Sequence, residues 1–175
     1  MRIILSIFLI IISTWSFAGN DVAHFRTLFQ NASSESDFER ILETEIEGAS
    51  ATEINIIEAY KAVAHATMAK YAFNPYSKMK YFNEGRDQLE ALIAKDKSID
   101  NVFLRLILQL NTPDFLNYNN EIEQDLKFFI AQVNTAGLTP DHKAFMIETI
   151  LEGKKDDLEF RDLFDILERM NDIKI

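Results

Sequence analysis

The sequence predicts an all-α protein, an irregular array of seven to eight antiparallel helices. Three observations lead there. Apolar residues recur at steps of three and four, as over residues 121–136, where Ile122, Leu126, Phe129, Ile130 and Val133 share one face. No stretch alternates with a period of two for long enough to make a strand. Helix start and stop signals punctuate the pattern at short intervals, which predicts short loops between packed helices.

Residues 1–18 have the three parts of a secretory signal: one positive charge at Arg2, an apolar core, and small residues at Ser16 and Ala18. The stretch from Ile3 to Ala18 is shorter than the ~20 residues a membrane-spanning helix needs. The expectation is a signal peptide cleaved after Ala18, export to the periplasm or beyond, and no stable membrane insertion afterwards. Residues 19–175 then form a single helical domain, long enough to bury a full core. The sequence holds no cysteine, which excludes both disulfides and a lipid-anchoring thiol, so packing must supply the stability. A net charge of −10 makes the chain a poor general nucleic-acid binder.

Residues 21–31 form a short amphipathic segment with Val22, Phe25, Leu28 and Phe29 apolar. After a turn, Ser36 and Glu39 have capping-box spacing and open a helix with Phe38, Ile41, Leu42 and Ile46 inward. Gly48 is a natural stop. The stretch over residues 50–110 organises the rest. Ser50 and Glu53 form another capping box, and Ile57, Tyr60, Ala64, Met68 and Tyr71 line one face of a helix that nothing interrupts up to Phe73. Asn74-Pro75 ends it and starts the next, because proline disfavours helix at the residue before it but suits a first turn. This second helix carries Met79, Phe82, Leu89, Leu92 and Ile93. Gly85 costs it about 1 kcal/mol against alanine, and a glycine here is a candidate for close packing.

A third helix carries Phe103, Leu106, Ile107 and Leu110, and Pro113 stops it. Residues 111–120 are the longest irregular segment. The helix over 121–136 ends at Gly137. Thr139 caps the next, with Pro140 in its first turn and Met146 and Ile150 inward, joined by Ile147 and Leu151. Gly153 begins a turn. The last helix is predicted from about Asp156 to Met170, with Phe160, Leu163, Leu167 and Met170 inward.

The run Tyr81-Phe82-Asn83-Glu84-Gly85-Arg86-Asp87-Gln88-Leu89-Glu90-Ala91-Leu92 resembles the second helix of a tetratricopeptide repeat, with Gly85 and Leu89 at the family's small and large packing positions. Leu92 is larger than the family's third position, and Lys97 stands where the family has proline. Phe103, Leu106, Ile107 and Leu110 match the spacing of the next repeat's first helix, so the resemblance covers residues 81–110. It implies a tetratricopeptide-like arrangement in the central part and a role in protein binding. The chain as a whole resembles small exported helical proteins of unknown function, a likeness that implies no activity.

Catalytic signatures are absent from the sequence. There is no Gly-x-Ser-x-Gly elbow and no phosphate-cradling glycine loop. His24, His65 and His142 are single and far apart, with no His-Glu-x-x-His and no Glu-x-x-His. Asp21 and His24, three apart on one helix face, come nearest to a ligand pair, and a surface pair is the plainer reading. Paired carboxylates such as Glu43 and Glu45, or Asp156 and Asp157, are what 28 acids produce by chance on solvated faces. The reading is therefore no catalytic residue, no metal site and no cofactor.

One interval departs from this background. The 25 residues between Glu58 and Glu84 contain no carboxylate. They hold Lys61, Lys70, Lys78 and Lys80 beside Tyr60, Tyr71, Phe73, Tyr76, Tyr81 and Phe82. The bland reading is two core helices with few acids, lysine stems lying along apolar surface. The sharper one is a contact surface for an acidic or glycan partner, because tyrosines and lysines suit interfaces and sugar stacking. Its candidate residues are Lys70, Tyr71, Asn74, Tyr76, Lys78, Lys80 and Tyr81, with Phe115 and Tyr118 from the irregular segment as neighbours. The first expectation is an exported, non-enzymatic module that binds another envelope protein. The second is a small-ligand carrier or enzyme, with a closed pocket where polar groups such as His65 and Arg105 converge. The third is a purely structural envelope component with neither groove nor pocket.

Overall fold

All 12 residues of one helix, Ile99–Leu110, are buried, and the other helices gather around it. The computed structural model describes residues 21–153 and 160–172. Among the described residues are eight α-helices and no strand: α1 Val22–Gln30, α2 Glu35–Glu43, α3 Ala51–Thr67, α4 Pro75–Lys95, α5 Ile99–Leu110, α6 Ile122–Gln132, α7 Pro140–Glu152 and α8 Arg161–Asp172. Helices α3, α4, α6 and α7 pack on α5, α1 and α2 pack on α3, and α8 lies against α6 and α7. The signal peptide, its cleavage after Ala18 and the helix start at Asp156 fall outside the described residues.

Eight of the twelve residues of the central helix are apolar, and neighbouring helices cover its polar side as well. Phe103, Leu104 and Leu106 have no exposed surface, and each such side chain contributes about 1.5–3 kcal/mol relative to exposure. Four polar residues go inside with them: Asp100, Asn101, Arg105 and Gln109. Burying such groups is tolerable where they find partners. Asn101 donates to the Asn55 side chain at 2.7 Å and to the Asp96 carbonyl at 2.9 Å. The partners of Asp100 and Arg105 are described with the site below.

Helices α3 and α4 are antiparallel and lie unusually close. Asn55 donates to the Leu92 carbonyl at 3.2 Å, Gln88 reaches Glu58 at 3.3 Å, and His65 meets Glu84 at 3.1 Å, so pairs advance in opposite directions. Gly85 sits where they touch. A Cβ there would lie 2.4 Å from the Ala62 carbonyl oxygen and 2.6 Å from the Ala66 nitrogen. Small Ala62 and Ala66 on α3 face the missing side chain on α4, so the backbones themselves make the contact.

Caps explain most boundaries. Ser50 accepts from the Glu53 N–H while Glu53 accepts from the Ser50 N–H at 2.8 Å, the expected capping box. Asn74 and Thr139 cap α4 and α7, each followed by proline in the first turn. At α2 the box is shifted from the expected Ser36 and Glu39. Ser34 is the extended N-cap residue, and Asp37 accepts its N–H at 3.0 Å, the shorter carboxylate taking the glutamate's part. Gly48 does not stop α2 directly. The helix ends at Glu43, Thr44 turns extended, and Gly48 takes φ +70° within the following loop.

The expected continuous helix to Phe73 is also corrected. α3 ends at Thr67 and tightens into a 3₁₀ turn over Met68–Lys70. Pro75 fixes only the far side of the corner: it holds Asn74 extended, at φ −120° and ψ 155°, so that residue cannot continue a helix. Tightening the last turn lets the Met68 N–H share three carbonyls of the preceding turn. Thus a corner forms between α3 and α4, and it walls the site described next.

Candidate functional site

Between this corner and the C-terminal end of α5 lies a half-open cavity of about 570 Å³. Its floor is built from buried apolar groups: Val63 and Ala66 on α3, Phe82 on α4, and Ile107 and Leu108 on α5. Phe29 of α1 and Phe38 of α2 close one wall, their rings 6.4 Å apart in a T-shaped pair. Lys70, Pro75, Lys78, Pro113 and Phe115 form the exposed rim. The volume stays open because Ala66, Thr67 and Ala69 are small and because Pro113 turns the chain away just after α5.

The polar side chains that line this cavity are turned into its walls. Thr67 donates to the Val63 carbonyl at 2.8 Å, Thr112 to Leu108 at 2.6 Å and Thr149 to Phe145 at 2.7 Å. The Asn111 amide donates to the Ile107 carbonyl at 2.8 Å. Each hydroxyl proton is given to a carbonyl four residues back in the chain. The lining is therefore apolar in chemistry despite three threonines. Lys70 and Lys78 make no ion pair among the described residues, whereas Lys80 approaches Glu84 at 3.9 Å and Lys61 lies over the Phe25 ring at 5.7 Å.

The expected contact residues divide by position. Lys70, Lys78 and Phe115 line the cavity. Tyr76 and Lys80 line a second, shallower cleft of about 290 Å³ on α4, which shares Met79 with the first. Asn74 is used as a cap, accepting from the Ser77 N–H at 2.8 Å. Tyr71 packs near Phe38 at 6.4 Å, and Tyr81 meets the His65 ring edge-on at 5.1 Å. Tyr118 is half-buried: it donates to Glu90 and packs edge-on against Phe82 at 6.0 Å. Phe73, Tyr76 and Phe115 are exposed by 101%, 80% and 77%, so the corner presents aromatic surface to solvent. Tyr60 and Phe82 from the same interval belong to the core.

His65 and Arg105 do not converge on the cavity. His65 faces Glu84, and Arg105 is committed to a buried ion pair: its Nε and Nη2 donate to Asp125 at 2.6 and 2.8 Å and its Nη1 to Glu90 at 2.9 Å. Burial works against the Arg105 charge, but Asp125 and Glu90 outweigh it and hold the guanidinium pKa above its ordinary value. Lys97 adds a contact to Asp125 at 3.4 Å. Burial first, then the Glu90 carboxylate, pushes the Tyr118 hydroxyl above its ordinary pKa. Sequence reasoning missed this cluster, although Asp125 stands inside the apolar stripe of Ile122, Leu126 and Phe129.

A second buried cluster joins four helices. Asp100 accepts from Arg26 Nε and Nη2 at 2.8 and 2.6 Å and from the Tyr60 hydroxyl at 2.8 Å. His142 Nε2 lies 3.5 Å from that hydroxyl, and its ring stacks on Phe145. Both carboxylate oxygens are occupied and none of the four side chains lines either cavity, so the cluster fastens α1, α3, α5 and α7 together. Burial first, then the Arg26 charge, lowers the His142 pKa, with Asp100 opposing. The folded state therefore binds fewer protons than the unfolded one below the ordinary value of 6.5. Stability is expected to be full above that pH and to fall as the pH drops below it. Thermal melting at pH 7.5 and 5.5 checks this, and His142→Gln is expected to flatten the difference.

The Asp21 carboxylate caps α1, accepting from the His24 N–H at 3.0 Å. Among the described residues no three His, Cys, Asp or Glu side chains are grouped to hold a metal ion. Among the same residues no helix is long and apolar enough to cross a membrane. Compared with known proteins, the chain matches no family model, no curated protein and no solved structure.

Proposed function

We propose that this chain is a non-catalytic binding protein that holds an apolar ligand in the cavity between the α3–α4 corner and the end of α5. The observation that carries the reading is the mostly carbon-lined cavity of about 570 Å³, whose three threonines give their hydroxyl protons, and Asn111 one amide proton, to helix carbonyls. Its volume falls within the ~300–1,000 Å³ of small-ligand sites, which are also mostly apolar. The test is binding of an environment-sensitive anilinonaphthalene sulfonate dye, followed by fluorescence. Ala69→Trp fills the cavity from the 3₁₀ turn and is expected to reduce dye affinity at least tenfold with an unchanged circular dichroism spectrum. Equal dye binding by the variant would refute the assignment.

A second reading is favoured by the exposure of Phe73, Tyr76 and Phe115. In it the chain is an exported interaction module of the cell envelope. Its corner docks another envelope protein through aromatic anchors, which dominate interface energetics. Here α4 and α5 stand as the second helix of one tetratricopeptide-like unit and the first helix of the next. Affinity capture from envelope extract, compared between the native sequence and a Phe73→Ser, Tyr76→Ser variant, separates the readings. A stoichiometric partner lost only with those aromatics supports the module.

A further inference from the structure

The rim of the cavity gives its ligand a chemical class, an inference that rests on the binding reading above. We infer that the cavity takes a free single-chain carboxylate amphiphile, with the chain on the apolar floor and the carboxylate between Lys70 and Lys78. Three features of the site lead to this.

The first is the lining. Val63, Ala66, Phe82, Ile107 and Leu108 offer only carbon, and the neighbouring hydroxyls are already bonded to their own helices. Because those hydroxyl protons are already given to helix carbonyls and the floor is carbon, a polar ligand group laid on it would lose its water partners at a cost, and hydrocarbon is the part best buried there. The second is volume. At a water-like ~30 Å³ per methylene, the cavity volume holds roughly twenty such groups, room for one long acyl chain but not for a pair of that length.

The third is charge. The protein carries a net charge of −10, yet the two ionised side chains that line this cavity are both cations. Neither has an ion-pair partner among the described residues, while the nearby Lys80 and His65 already face Glu84. An anionic head at the mouth completes them, and a cationic head would meet like charge. Carboxylates elsewhere on this acidic surface would repel the same ligand, so the rim is where an anion is best held.

Dye displacement from the protein purified after expression of the whole sequence tests the inference. The competitors are decanoate, dodecanoate and tetradecanoate, with dodecanol and dodecyltrimethylammonium as head-group controls. The expected result is affinity rising about fourfold per added methylene and weaker displacement by dodecanol and the ammonium. The double variant Lys70→Glu, Lys78→Glu should lower dodecanoate affinity at least tenfold while leaving dodecanol unchanged. Its circular dichroism and melting temperature, expected to match the native protein, separate loss of binding from loss of fold. If dodecanol displaces the dye as well as dodecanoate and the charge reversal changes neither, the head-group assignment is overturned and the apolar cavity reading stands. If no competitor displaces the dye and affinity does not follow chain length, both are overturned. Flotation with anionic phospholipid vesicles, without displacement by any free acid, would overturn the inference in favour of a membrane surface.

Discussion

Replacing Arg105 with methionine is expected to destabilise the protein by about 3–5 kcal/mol, the usual result of removing one partner from a buried ion pair. The Asp125 side chain has no exposed surface, and Arg105 supplies both of its short hydrogen bonds. After the substitution Asp125 keeps only Lys97, at 3.4 Å and partly exposed. A carboxylate so placed must either stay charged at a high desolvation cost or take up a proton. Glu90 would lose its guanidinium partner and retain Tyr118. Since domains are stable by only ~5–15 kcal/mol, urea denaturation should show a large shift in midpoint. The double variant Arg105→Met, Asp125→Leu should lose less than the two single changes summed, because it removes both charges together. Strict additivity would show that the pair does not act as a unit.

Gly85→Val is expected to cost about 3 kcal/mol or more, at the upper end of overpacking effects. Two terms oppose each other. A side chain at this helical position recovers up to about 1 kcal/mol of helix propensity, less for valine than for alanine. Against this, its Cβ meets the Ala62 carbonyl oxygen at 2.4 Å, the Ala66 nitrogen at 2.6 Å and the Ala66 Cβ at 2.7 Å. Two of these are backbone atoms, which cannot rotate away, so α3 and α4 must separate. Gly85→Ala should follow the same direction with a smaller loss. A valine variant with native melting temperature would show that the two helices slide apart freely. Because α3 and α4 also carry the cavity floor, the alanine variant should bind the dye more weakly even where it stays folded.

Much of the helical layout was legible in the sequence. Helix periodicity and caps act over a few residues, so the boundaries at Ser50, Asn74 and Thr139 are written locally. Where the local code was ambiguous the expectation slipped: serines stand at both 34 and 36, and only the folded chain shows which one caps α2. The α3 boundary slipped because Pro75 constrains the residue next to it, and no local signal marks the tightening to a 3₁₀ turn at Met68. The basic, aromatic interval was visible as a gap in carboxylates, but its division into core, caps and rim was not. Lys78 and Lys80 differ by two positions and face different clefts, since a helix turns by more than half a revolution between them.

By itself the sequence determined an all-α chain, its main helix breaks and the corner at Asn74-Pro75, because these rest on backbone preferences and on periods of three to four residues. Tertiary structure alone decided that Asp100 meets Arg26 and Tyr60, that Arg105 meets Asp125, and that Phe29, Phe82, Leu108 and Thr149 surround one space. Those residues come from separate helices, and no short-range pattern encodes which faces meet. The same holds for the character of the cavity. A threonine is polar in composition, and only the folded helix shows that its hydroxyl proton is already given to the preceding turn.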